Sequence, residues 1–260
     1  MITTDSRDPS HYTSLAPFQT LFNLGLPILT YHKLGPRPRN ARLKGLYVSE
    51  KLFGQQLAEL RAAGFTTIPL PPNGDERPTQ HRRITLTFDD GYQNVFRYAL
   101  EPLASNGFRA IQYLVAARLG LTNDWDVRIG EASEALMDET EVREWLAAGH
   151  EIGSHTLTHP HLTQVSAQQA RTEIQDSKKH LEDTFGVLVR HFCYPYGDWN
   201  PAIRDMVMEA GYASASTTLH GVNTIDTSPF ELRRITARYP SRNWQLIWRG
   251  LRSLFQRQRQ

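Results

Sequence analysis

The sequence predicts an α/β protein, a distorted barrel of seven to eight β/α units forming one domain over residues 1–260. Two observations carry this. Short apolar runs alternate with longer segments of helical period, the pattern of parallel β/α units. The length of 260 residues with 40% hydrophobic content suits a single barrel with a full core.

In chain order, residues 1–26 read as an irregular lead-in, because prolines, serines and aromatics mix there without a sustained period. A strand is expected at Ile28–His32, followed by a Pro-rich loop. Ser49 then serves as N-cap for a helix reaching Ala63, with Phe53, Leu57 and Leu60 on its apolar face. Gly64 ends that helix, a strand is read at Phe65–Ile68, and residues 71–83 form a hydrophilic loop. Strands follow at Ile84–Phe88, Ala110–Val115, Glu151–His155, His191–Tyr194 and Ala213–Thr218. The helices between them run through Leu100, from Glu139 to Ala148, from Ala167 to Phe185 and from Pro201 to Ala210. Near the end, residues 243–258 place Trp244, Ile247, Trp248, Leu251, Leu254 and Phe255 on one stripe, with Arg249, Arg252 and Arg257 largely off it. That terminal amphipathic helix suits either packing on the barrel or peripheral docking on an anionic membrane.

Composition narrows the function. A net charge of +2 without a concentrated basic face speaks against nucleic acid as partner and for a neutral or polar substrate. The single cysteine, Cys193, cannot form an intramolecular disulfide and reads as a small buried residue. The N-terminal residues have neither a basic leader followed by an apolar run nor a membrane-length span, so a cytoplasmic location is expected.

Chemistry concentrates in three segments. In Ile84-Thr85-Leu86-Thr87-Phe88-Asp89-Asp90-Gly91 an apolar strand runs into two acids and a glycine. In a parallel barrel the strand's C-terminal end faces the active site, where one carboxylate can bind a cation while its neighbour takes a proton; Asp-Gly is equally an ordinary turn signal. In Ser154-His155-Thr156-Leu157-Thr158-His159-Pro160-His161 two imidazoles separated by three residues can reach one metal. Combined with a carboxylate they suit zinc or a similar divalent ion, although histidines in a polar loop are also found merely exposed. The third segment, Phe192-Cys193-Tyr194-Pro195-Tyr196-Gly197, follows another strand.

Taken together, TFDDG, SHTLTH and YPYG resemble the polysaccharide deacetylase family, also called the NodB-homology or carbohydrate esterase 4 family, over Pro27 to Tyr239. The resemblance implies metal-dependent removal of N-acetyl groups from a glycan or glycan precursor. It makes Asp89 the general base, Asp90, His155 and His159 the ligands of a divalent metal, most simply Zn²⁺, and the Tyr196 backbone N–H an oxyanion donor. His161 falls outside the motif spacing and is read as a loop residue.

Two departures matter. The arginine that many family members carry three residues before the motif tyrosine is Cys193 here, and Arg234 is the candidate to replace its charge. The histidine that protonates the leaving amine has no good late match: His220 has the wrong flanks, whereas Pro27-Ile28-Leu29-Thr30-Tyr31-His32 has an apolar strand followed by histidine. Assigning His32 implies a circularly permuted barrel, similar to the poly-N-acetylglucosamine deacetylase branch. Tyr92, Trp199, Trp125 and Tyr196 are candidates to stack on sugar rings. Rival readings are a carbohydrate-binding pseudoenzyme and a deacylase of a non-sugar amide.

Overall fold

The computed structural model describes residues 11–70 and 82–238. Seven parallel strands form a ring: β1 (Ile28–Tyr31), β2 (Arg83–Phe88), β3 (Ile111–Leu114), β4 (Glu151–Ser154), β5 (His191–Cys193), β6 (Ser214–His220) and β7 (Leu232–Thr236). They follow one another in chain order, and the ring closes because β1 pairs with both β2 and β7. The register sets Ile28 opposite Thr85, Tyr31 opposite Phe88 and Leu29 opposite Ile235. The strand expected at Phe65–Ile68 is only Thr66–Thr67, paired with the start of β2 outside the ring. The fold is thus a (β/α)7 barrel.

Helices wrap the ring where the periodicity places them. Helix α1 (Glu50–Ala62) starts at Ser49, whose hydroxyl accepts from the Leu52 N–H, satisfying one of the donors a helix start leaves unpaired. Helices α2 (Gln93–Asn106), α3 (Glu139–Ala147), α4 (Ala167–Phe185) and α5 (Pro201–Glu209) complete the layer. Asp138 and Glu141 form a reciprocal capping box on α3. The apolar faces meet the strands in one core that includes Leu57, Phe88, Leu103, Trp145, Ile174 and Phe192.

Inside the ring the side chains turn polar. The hydroxyls of Thr30 of β1 and Thr87 of β2 and the backbone carbonyl of Thr217 of β6 all accept from Arg234 of β7, so hydrogen bonding replaces apolar packing along part of the barrel axis.

The lead-in is more ordered than its mixed sequence suggests. Residues 16–22 form two short helical turns, and Tyr12, Phe18 and Phe22 are buried with their rings in contact. Tyr12 N–H donates to Thr236 O (2.9 Å) and Arg238 N–H to Tyr12 O (3.1 Å), stitching the segment beside β7. Aromatic burial compensates here for the missing period. The terminal amphipathic helix expected at residues 243–258 lies outside the described residues. Among those residues, no helix is long and apolar enough to cross a membrane.

Candidate active site

The three motifs and His32 meet at the C-terminal ends of the strands. Asp89 and Asp90 follow β2, His155 follows β4, Tyr196 lies just past β5 and His32 just past β1, while Arg234 reaches in from β7. They line one cleft of about 110 Å³ with Leu43, Leu46, Trp125, Asp126, Tyr194 and Thr218. Two larger hollows, of about 240 and 340 Å³, lie elsewhere and hold none of the motif residues. His220 lines the larger one, outside the cleft.

Asp90 Oδ1 stands 3.3 Å from Nε2 of both His155 and His159, and the ligand atoms of the three buried residues lie within 4.8 Å of one another. His155 is aimed by its other nitrogen, Nδ1, 2.7 Å from Cys193 O. A backbone carbonyl on one ring nitrogen fixes the tautomer and frees the other for a metal. The His159 ring is clamped between Trp125 (4.6 Å, stacked) and Tyr196 (4.5 Å, edge-on). One carboxylate and two imidazoles, all buried, are the donor set of a divalent zinc-type site, so these residues fit the metal that the resemblance implies.

The neighbouring carboxylate has different company. Arg234 donates to both oxygens of Asp89, Nη1 to Oδ1 at 2.7 Å and Nη2 to Oδ2 at 2.8 Å, and is itself 2% exposed. Its remaining donors go to Thr217 O and the Thr30 hydroxyl, and Nη2 also approaches Cys193 Sγ at 3.2 Å. Burial pushes the Asp89 pKa up, but the guanidinium charge and its two hydrogen bonds outweigh that and hold the carboxyl below its ordinary value. His32 Nε2 lies 3.7 Å from Asp89 Oδ2. Burial lowers the His32 pKa, and the Asp89 and Asp90 charges only partly oppose it.

The loops that deliver these groups are bent unusually. Asp90, Thr156, His159 and Tyr196 all have positive φ, at 73°, 69°, 66° and 59°. Non-glycine residues rarely adopt this region, and such strain gathers at functional sites. Around Thr156 and His159 it is held by hydrogen bonds: Leu157 N–H, Thr158 N–H and the Thr158 hydroxyl all donate to Glu173 of α4. Sequence reading missed Glu173. Its signal was a carboxylate beside the buried stripe of Ala170, Ile174 and Leu181 on a long helix.

Two aromatics expected to contact sugar do not line the cleft. Tyr92 is fully buried: it stands at the residue before α2 without capping it, its hydroxyl donates to Asp126 Oδ2 (3.1 Å), and Lys33 Nζ lies 4.7 Å from its ring centre. Trp199 stacks on Tyr194 (5.9 Å) and is not among the cleft-lining residues. Trp125 is only 8% exposed behind His159, which leaves Tyr196, 44% exposed, as the open aromatic. Its ring stacks on His161 (3.9 Å, 12°), and His161 belongs to neither of the two groups that could hold a metal, Asp90–His155–His159 and Asp89–His155–Cys193.

Comparison with known proteins places this geometry. Residues 76–215, more than half of the chain, match the family model described as polysaccharide deacetylase. The putative polysaccharide deacetylase YxkH of Bacillus subtilis is 26% identical over 215 residues, covering 81% of this chain and 70% of YxkH. The chain spans only 33% and 30% of two further curated relatives. The Streptococcus pyogenes deacetylase PplD, solved in complex with acetate, superposes with a TM-score of 0.73 at 23% identity over 87% of this chain and 98% of that one. IcaB from Ammonifex degensii gives 0.72 at 22% identity over 86% and 95%. At these identities the two structures show a shared fold. Barrel, motif geometry and family match together establish that the chain belongs to the polysaccharide deacetylase family and is a carbohydrate deacetylase.

Proposed function

We propose that this protein hydrolyses the N-acetyl group of an acetylated saccharide, releasing acetate and a free amine, with Asp90, His155 and His159 holding Zn²⁺. The observation that carries this reading is the split between adjacent carboxylates: Asp90 faces two imidazoles, whereas Asp89 faces Arg234 and His32. Such a division separates metal binding from proton transfer. When bound, the cation supplies Lewis-acid polarisation of the acetyl carbonyl and a more acidic water.

The remaining work belongs to the side chains. Asp89, kept ionised by Arg234, takes a proton during attack. His32, neutral at rest because burial lowers its pKa, receives the proton that Asp89 has taken, across 3.7 Å, and passes it to the leaving amine. The Tyr196 backbone N–H stabilises the developing oxyanion. The Tyr196 ring, backed by His161, offers a flat face to a sugar. We further read β1, lying between β7 and β2, as the acid-bearing strand of a permuted barrel.

The test uses acetate release from N-acetylglucosamine oligomers together with elemental analysis. Chelation abolishes turnover and zinc restores it; Asp90→Ala loses the metal. Asp89→Asn keeps the metal but loses on the order of a hundred-fold or more in rate. His32→Ala loses turnover while His220→Ala retains it. Parent-like rates in Asp89→Asn, or an active His32→Ala beside a dead His220→Ala, would contradict the assignments.

A further inference from the structure

We propose that the rim of the cleft is a docking surface for an anionic lipid bilayer. Between β1 and α1, residues 33–49 contain no acidic residue, and Arg37, Arg39, Arg42, Leu43 and Lys44 are all exposed. Across the rim, the segment carrying Trp125 exposes Val127, Arg128 and Ile129, with Val127 and Ile129 at 41% and 59%. The two segments form one surface. Arg42 Nη1 donates to Ile129 O (2.5 Å), and the backbone N–H groups of Arg42 and Leu43 donate to Glu131 Oε2 at 2.9 and 2.6 Å.

The surface sorts its groups by polarity. Glu131 and Asp126 are buried, and Glu134 accepts the Tyr47 hydroxyl at 2.8 Å. Asp124 meets Arg118 and Arg128 at 3.1 and 3.3 Å. Carboxylates therefore point inward or are paired. Among the described residues, Arg37, Arg39, Arg42 and Lys44 form no ion pair, so the outward face combines free cations with bare aliphatic side chains.

That combination selects the partner. A hydrated polyanion in solution rewards the cations but gains nothing from Val127 or Ile129, and a single-stranded nucleic acid favours aromatic stacking faces over aliphatic ones. An anionic bilayer matches both, drawing cations to its headgroups and taking aliphatic side chains into the headgroup–acyl boundary. Leu43 and Leu46 line the cleft from the same segment. Docking here turns the cleft mouth toward headgroups, where a lipid-anchored acetylated saccharide would present its sugar. The docking itself does not depend on the deacetylase reading; only the identity of the presented substrate does.

Cosedimentation of the full chain with sucrose-loaded vesicles tests it, comparing phosphatidylcholine alone with mixtures containing phosphatidylglycerol. Binding is expected to the mixed vesicles only and to weaken with added salt. The triple variant Arg37→Glu, Arg39→Glu, Ile129→Ser should bind at least about tenfold more weakly, with unchanged circular dichroism and unchanged turnover of a soluble substrate. Ile129→Ser alone should weaken vesicle binding with all charges intact. The proposal is overturned if the parent does not bind, if it binds both vesicle types equally, or if the triple variant binds like the parent. It is also overturned if dextran sulfate binds as tightly as vesicles and Ile129→Ser changes neither. Turnover is scored separately, so an inactive but vesicle-bound protein would count against the deacetylase reading alone.

Discussion

Arg234 shows how one side chain sets the charge of another. Removing it as Arg234→Met leaves Asp89 buried without its partner, and breaking a buried pair in this way costs about 3–5 kcal/mol. The sign of the pH dependence follows from the direction of the shift. Asp89 has a folded-state pKa below its unfolded one, so its stabilisation is present above the unfolded value and is lost as pH falls through the folded value. In Arg234→Met, the largest opposition to burial is gone and the Asp89 pKa rises. The acid limb of the pH–rate profile should move to higher pH, and the destabilisation should shrink on acidification as Asp89 protonates. Urea unfolding at neutral and mildly acid pH checks the second effect; an unmoved acid limb would remove Arg234 from control of Asp89. Arg234 was legible only as a candidate, because nothing in Leu232-Arg233-Arg234-Ile235 says which arginine faces inward. The strand decides: Arg234 is buried and Arg233 exposed.

At the scale of elements, the helices and most strands followed from period and caps, whereas β7 and the active-site loops did not. Ser49 and the apolar positions of α1 announced that helix, and the expected span Ala167–Phe185 coincides with α4. Left-handed φ at Asp90, Thr156, His159 and Tyr196 has no such signature, since none of these residues is glycine. The turn after β5 offers a sharp test. Gly197 has φ +69°, and a Cβ there would stand 2.0 Å from Thr218 Oγ1. Gly197→Ala should therefore displace Tyr196 and reduce turnover at least about tenfold, while metal content, held by residues after β2 and β4, stays near that of the parent. Parent-like kinetics would show that the turn tolerates the methyl group.

For the molecule as a whole, closure rests on β1. It pairs with β2 on one side and β7 on the other, and Ala237 N–H also donates to Thr30 O at 2.8 Å. A chain beginning at Lys33 would expose the facing edges of β2 and β7 and lose the buried Ile28, Leu29 and Tyr31. It should fail to unfold cooperatively in urea and should bind no stoichiometric metal, although Asp90, His155 and His159 remain. A cooperative, metal-binding truncation would show that six strands suffice. Register through the ring, beyond contacts near the cleft, brings the ligands together.

The fold class, the helices of clear period and the candidate site residues were legible locally, since period, caps and strand-end motifs act over a few neighbours. Tyr92 and Trp199 mark where that reading ends: each is an aromatic beside a motif, yet one turns into the core against Asp126 and the other onto Tyr194. Glu173 and Lys33 were overlooked for the complementary reason, since nothing nearby in the chain shows that a charged residue will be buried against a loop or between two rings. Which arginine reaches Asp89, which aromatic stays open and which hydrophilic loops form one surface depend on groups far apart in the chain, and closing the barrel sets those distances.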